Sequence, residues 1–179
     1  MKQTTFLFII FLFIGCSVSK EIHNEISVFQ LKRIKLKDIE KIETENNGIQ
    51  DYENPPTSQG YFSDLNEKYK FSQPKFYNRK QGSLKTEVTY YNSEKDSVVR
   101  LISYAWDGLK NSDSIRSIYN QNEKIFTEYF KKNGTVKNIN EKTYWEDEIT
   151  WENKKITVFQ FILGDKKGAY RTRTIIRWK

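Results

Sequence analysis

From Ser83 onward the chain alternates, with Leu84, Thr86, Val88 and Tyr90 on one side and Lys85, Glu87 and Thr89 on the other. A period of two marks a strand with one buried face. Polar residues from Asn92 to Asp96 make a turn, and Val98 to Trp106 reads as a second strand, so the pair predicts a β-hairpin. In the second strand both sets are largely apolar: Val98, Ile102, Tyr104 and Trp106 on one side, Val99, Leu101 and Ala105 on the other. That pattern predicts a central strand covered on both faces.

The period then lengthens. Ile115, Ile118, Tyr119, Asn122, Ile125, Phe126, Tyr129 and Phe130 recur at spacings of three and four, after a cap at Ser112 or Asp113 and before Lys131-Lys132 and Gly134. Start, stripe and stop signals agree on one long helix, whose aromatic stripe is assigned to packing against a sheet. Alternation returns afterwards: Tyr144 to Glu152, a turn at Asn153-Lys154-Lys155, Ile156 to Leu163, a turn from Gly164 to Gly168, and Ala169 to Trp178. The fold class expected is therefore α+β: a roughly five-stranded antiparallel sheet built from a β-hairpin, a long helix and a three-stranded meander, with the helix packed on one face.

Upstream the pattern is weaker. Ile26 to Ile42 fits a strand through Ile26, Val28, Ile34 and Leu36 and a helix through Val28, Leu31, Ile39 and Ile42, and reads as an edge strand followed by a short helical turn. From Glu43 to Gly60 the residues become polar, with Asn46-Asn47-Gly48 and Asn54-Pro55-Pro56, which predicts a loop. Ser63 can cap a short helix that places Leu65 and Tyr69 on one face, with Pro74 marking its end.

The first residues follow a different logic. Lys2 supplies a positive charge, Phe6 to Ile14 is an unbroken apolar run, and Gly15 stands before Cys16. As a helix the run spans about 14 Å, less than half of a hydrocarbon core of roughly 30 Å, so it reads as a secretion signal and not a lasting span. Phe13-Ile14-Gly15-Cys16 resembles the lipobox of bacterial lipoprotein precursors. The resemblance covers only the leader, and implies that the cysteine thiol is acylated and the chain cut just before it. It divides the chain into a signal peptide over 1–15, a lipid-anchored tether and anchor-proximal segment over 16–60, and a globular domain over 61–179. Ser17 lacks the aspartate of an inner-membrane retention signal, so the expected location is the outer membrane, facing the periplasm.

Composition narrows the chemistry. Lys2 is the only charged residue within 1–15, so the remainder keeps a formal +6 of the chain's +7, with acids and bases intermixed. Export argues against nucleic acid as a partner and leaves a protein or an anionic envelope polymer. With the only cysteine at Cys16 and the only histidine at His23, close to the anchor, Ser-His-Asp and Cys-His catalysis are excluded, and neither HExxH nor CxxC spacing offers a zinc site. No cofactor, metal or catalytic residue is therefore assigned. Glu146, Glu148 and Glu152 fall opposite Trp145, Ile149 and Trp151 on one strand and read as a solvated face; a carboxylate-dependent hydrolase is the alternative, and would require one of them to be buried beside a cleft. On the last strand Arg171, Arg173 and Arg177 share a face, opposite Tyr170, Ile176 and Trp178. Three guanidiniums in a row suit phosphates or carboxylates, and equally suit pairing across the sheet with those glutamates. The expectation is a non-catalytic lipoprotein of accessory or immunity type.

Overall fold

The structure, a computed structural model, describes residues 28–52, 63–81, 84–107 and 112–179. The chain divides into two compact units, residues 1–30 and 31–179, and the second contains all the elements below. Cys16 with the leader, the tether with His23, and Asn54-Pro55-Pro56 lie outside the described residues.

A 3₁₀ turn, Leu36–Asp38, runs into α1, Ile39–Glu45, and then β1, Gly48–Gln50. Next come α2, Ser63–Tyr69; β2, Lys75–Gln81; β3, Leu84–Asn92; and β4, Val99–Asp107. The long helix α3, Ser112–Phe130, leads to β5, Thr135–Asn140; β6, Trp145–Glu152; β7, Ile156–Asp165; and β8, Gly168–Trp178. The strands form one sheet in the order β1-β2-β3-β4-β8-β7-β6-β5, antiparallel throughout. The class is mixed helix and antiparallel sheet, but among the described residues the sheet has eight strands, not five.

The three additional strands have physical reasons to be missed. β2 turns Arg79 inward, β5 is a polar edge strand exposed along most of its length, and β1 has three residues. The hairpin β3–β4, the helix α3 and the meander β6–β8 stand where the alternation placed them. Residues 31–52, which the sequence set apart as anchor-proximal, belong to the same unit as the sheet: β1 pairs with β2, and α1 buries Ile39 and Glu43. Among the described residues, the expected edge strand before α1 is represented by a bridge between Lys35 and Val98.

The register divides the side chains between two faces. One face carries Tyr77 and Arg79 of β2, Val88 and Tyr90 of β3, Ile102 and Tyr104 of β4, and Thr174 and Ile176 of β8, continuing into Val158 and Gln160 of β7 and Ile149 and Trp151 of β6. α3 lies over β6, β7 and β8 on this face. Phe126 meets the Trp151 ring at 5.6 Å, while Asn122 Nδ2 donates to Thr174 Oγ1 at 3.4 Å and Gln160 Nε2 donates to the Tyr119 carbonyl at 2.7 Å. Apolar burial drives the docking, and these buried polar contacts fix its position. Ser112 does more than start the helix: its hydroxyl accepts the Ala169 N–H at 2.8 Å, tying α3 to the first turn of β8.

The helix ends differ from the sequence reading. α3 stops because Lys131 takes a left-handed conformation (φ 53°), with Lys132 N–H reaching the Thr127 carbonyl and Lys131 N–H the Glu128 carbonyl, a Schellman closure. Gly134 serves packing instead, since a Cβ there would stand 2.3 Å from Ile149 Cγ2 and 2.8 Å from Trp151 Cε2. α2 likewise ends at Lys70 (φ 47°), four residues before Pro74.

On the opposite face Leu65 of α2 joins Tyr91, Leu101, Phe161 and Ile175 in a buried cluster. A helix of seven residues is too short to hold itself in water, so the burial of Leu65 is what keeps α2 on the sheet.

Candidate binding site

The meander sets three kinds of side chain side by side on the face that carries α2. In rows across the sheet, Glu146 of β6 faces Leu163 of β7 and then Arg171 of β8; Glu148 faces Phe161 and then Arg173; Glu152 faces Thr157 and then Arg177. The acids and the arginines are thus two strands apart, about 10 Å at the usual spacing, with an apolar strip between them. The period-two reading of each strand placed them on one face; the strand that separates them was already in the predicted meander.

The charged groups find nearer partners. Arg171 Nε donates to Asp107 Oδ1 of the adjacent β4 at 2.5 Å, Lys137 of β5 stands 3.3 Å from Glu148, and Lys179 pairs with Glu152. Arg173 is half-buried, and Arg177 forms no ion pair among the described residues. The three arginines share a face but differ in surroundings: Arg171 pairs with Asp107 of β4, while Arg177 lines a cavity.

That cavity, of about 440 Å³, opens beside α2. Its apolar lining is Leu65, Leu101, Phe159, Phe161 and Ile175. Asp64, Glu146 and Glu148 line it as acids and Arg177 as the base, with Thr150 and Thr157 between. Thr157 is 7% exposed, and its hydroxyl has no hydrogen-bond partner among the described residues. A buried polar group left unsatisfied costs about 1–3 kcal/mol, so a ligand that reaches it gains a real contact. Glu146 and Glu148 are half-buried, where the sequence suggested a solvated face. Burial raises the Glu146 pKa, and the negative charge of Glu148 within hydrogen-bonding reach raises it further, with Lys137 opposing.

A second charged cluster escaped the sequence reading. Glu43 of α1 is buried at 1% exposure and receives two hydrogen bonds from Arg79, Nε to Oε2 at 2.9 Å and Nη2 to Oε1 at 2.6 Å. Tyr90 donates its hydroxyl to the same carboxylate, and the Arg79 guanidinium lies 5.6 Å from the Tyr104 ring centre. Burial raises the Tyr90 pKa, as does the neighbouring negative charge. The one sequence signal is Arg79 at strand spacing from Tyr77, in a stretch otherwise too polar to read. The cluster holds α1 against β2 and β3.

Among the described residues no group of three or more His, Cys, Asp or Glu side chains is placed to hold a metal ion, and no helix is long and apolar enough to cross a membrane. Compared with known protein families, with curated proteins and with solved structures, the chain finds no match.

Proposed function

We propose that this chain is an acyl-anchored, non-catalytic binding protein of the bacterial envelope, and that the cavity beside α2 takes an apolar side chain of a protein partner flanked by lysine or arginine. The observation that carries the reading is the lining: an apolar floor with three acids against one arginine. Such a lining favours a cation over a polyanion, which turns the anionic alternative away from this site. A volume of about 440 Å³ suits one or two large side chains. The test is a photo-crosslinking residue at Phe159, used in the native envelope. One polypeptide should be captured there and not from an equivalent residue on the exposed side of α3, and Glu146→Lys with Glu148→Lys should abolish capture. Capture that survives both charge reversals would overturn the assignment.

The raised pKa of Glu146 beside a cleft is the specific observation that favours a second reading, a carboxylate-dependent hydrolase. Its geometry speaks against glycoside hydrolysis, which needs two carboxyls about 5–9.5 Å apart flanking the bond, whereas Glu146 and Glu148 lie within hydrogen-bonding reach of each other. Release of fragments from purified envelope polymer by the protein, lost in Glu146→Gln, would establish that reading.

A further inference from the structure

A second concavity, of about 520 Å³, lies at the end of the sheet where β6 turns into β7 and β8 finishes. Five cations line it, Lys32, Arg33, Lys154, Lys155 and Lys179, of which Lys179 pairs with Glu152 at the rim and Arg33 donates to the Lys179 carbonyl oxygen. Trp178, Ile156 and Leu31 supply an apolar wall and Tyr129 an aromatic edge. The turn is fixed by its own hydrogen bonds, because Asn153 Oδ1 accepts from both Lys155 N–H at 2.8 Å and Ile156 N–H at 3.0 Å. Lys154 and Lys155 are both exposed there, where their charges are available. Glu152, at the edge of this region, is held by Lys179, whose hydrogen bond and charge lower its pKa.

We infer that this basic concavity binds the phosphate headgroup of an anionic phospholipid, so that the domain rests on the membrane surface through this end. The chemistry is that of a headgroup site: several cations around a cup large enough for a phosphodiester, and an exposed tyrosine, Tyr129, suited to the interfacial region. Chain order supports the occupant. The polypeptide enters the domain at Leu31, itself a lining residue, and residues 17–30 connect it to Cys16, a reach of at most about 50 Å. The inference rests on the acyl-anchor part of the proposed function and is independent of the partner at the cavity. One anchor with a polybasic patch is also the two-signal arrangement that gives stable membrane attachment.

The experiment uses the mature chain of the proposed function, residues 16–179 carrying Cys16→Ser, so that neither an acyl chain nor the apolar run of the leader dominates partitioning, and vesicles of phosphatidylcholine with or without phosphatidylglycerol. Phosphatidylglycerol should strengthen binding in a salt-sensitive way. Lys154→Gln with Lys155→Gln should reduce that gain by about tenfold or more, the loss expected for two cations near an anionic surface. Lys166→Gln with Lys167→Gln removes the same charge from the β7–β8 turn and should leave binding within about twofold. Equal losses from the two pairs, or no preference for phosphatidylglycerol, would overturn the inference. So would release from vesicles by inorganic phosphate when chloride of equal ionic strength has no effect, which would assign the cup to free phosphate. Neither pair touches the cavity, so failure here leaves photo-crosslinking at Phe159 unaffected.

Discussion

Arg79 shows how much one residue can hide from a sequence. A lone arginine in a polar stretch reads as surface, yet the guanidinium is buried at 4% exposure against Glu43 and Tyr90. Buried pairs of this kind are costly to break and cheap to replace, because the penalty is that of an uncompensated charge left without water. Arg79→Ala should therefore destabilise the domain by about 3–5 kcal/mol, measured by chemical denaturation, and the double change Arg79→Met with Glu43→Leu should restore most of that loss. Gly48 belongs to the same arrangement, since a Cβ there would stand 2.0 Å from Glu43 Oε2. Glu146 gives a pH signature. Its folded pKa lies above its ordinary value of 4.5, so the folded state holds the proton more tightly and stability falls as pH rises through that window. Glu146→Gln should flatten the fall and raise stability at neutral pH by less than about 1 kcal/mol, the side chain being only half-buried.

At the scale of elements, what was legible depended on whether an element buries a clean face. β3, β4, α3 and β6–β8 each pair one apolar side with the core, and their periods reported it. β2 and β5 do not: the inward side of β2 includes a charge whose acidic partner stands on a helix 36 residues earlier in the chain, and β5 shows Val136 and its polar neighbours to solvent. The candidate cavity was invisible for a related reason. Its walls come from α2, β4, β6, β7 and β8, so no window of sequence contains it. Alternation showed which face Glu146 and Arg177 share, but not that Leu65 would stand over the same strip. Helix ends were misread where a non-glycine residue does the work of glycine. Lys131 holds a left-handed backbone at a cost of about 1–2 kcal/mol for an L-residue. Lys131→Gly should therefore stabilise the domain by about 0.5–1 kcal/mol, once the extra freedom of glycine in the unfolded chain is subtracted, and a thermal melt would show it.

For the molecule as a whole, the proposed anchor, cavity and basic cup divide the labour. The anchor reading is open to a direct measurement: Cys16→Ala should abolish incorporation of labelled fatty acid and move the protein from the membrane to the soluble fraction. Retention of both label and membrane would remove the lipoprotein reading. The cavity has an apolar floor and the cup works by charge, so salt should affect them to different degrees. Attachment through the cup should weaken steeply as ionic strength rises, while apolar contacts in the cavity should persist.

The place of β8 in the sheet has a further consequence, in time rather than space. β1 to β4 form one antiparallel run and β5 to β7 begin another, yet β4 and β7 both take β8 as their neighbour. Until β8 arrives, neither run has its inner edge closed, and Leu101, Ile102 and Tyr104 lack the strand that packs beside them. Pairings this distant along the chain are slow to form. If the chain is exported as proposed, its sheet would thus stay incomplete until the β8 segment came through, and both halves would then close on that one strand.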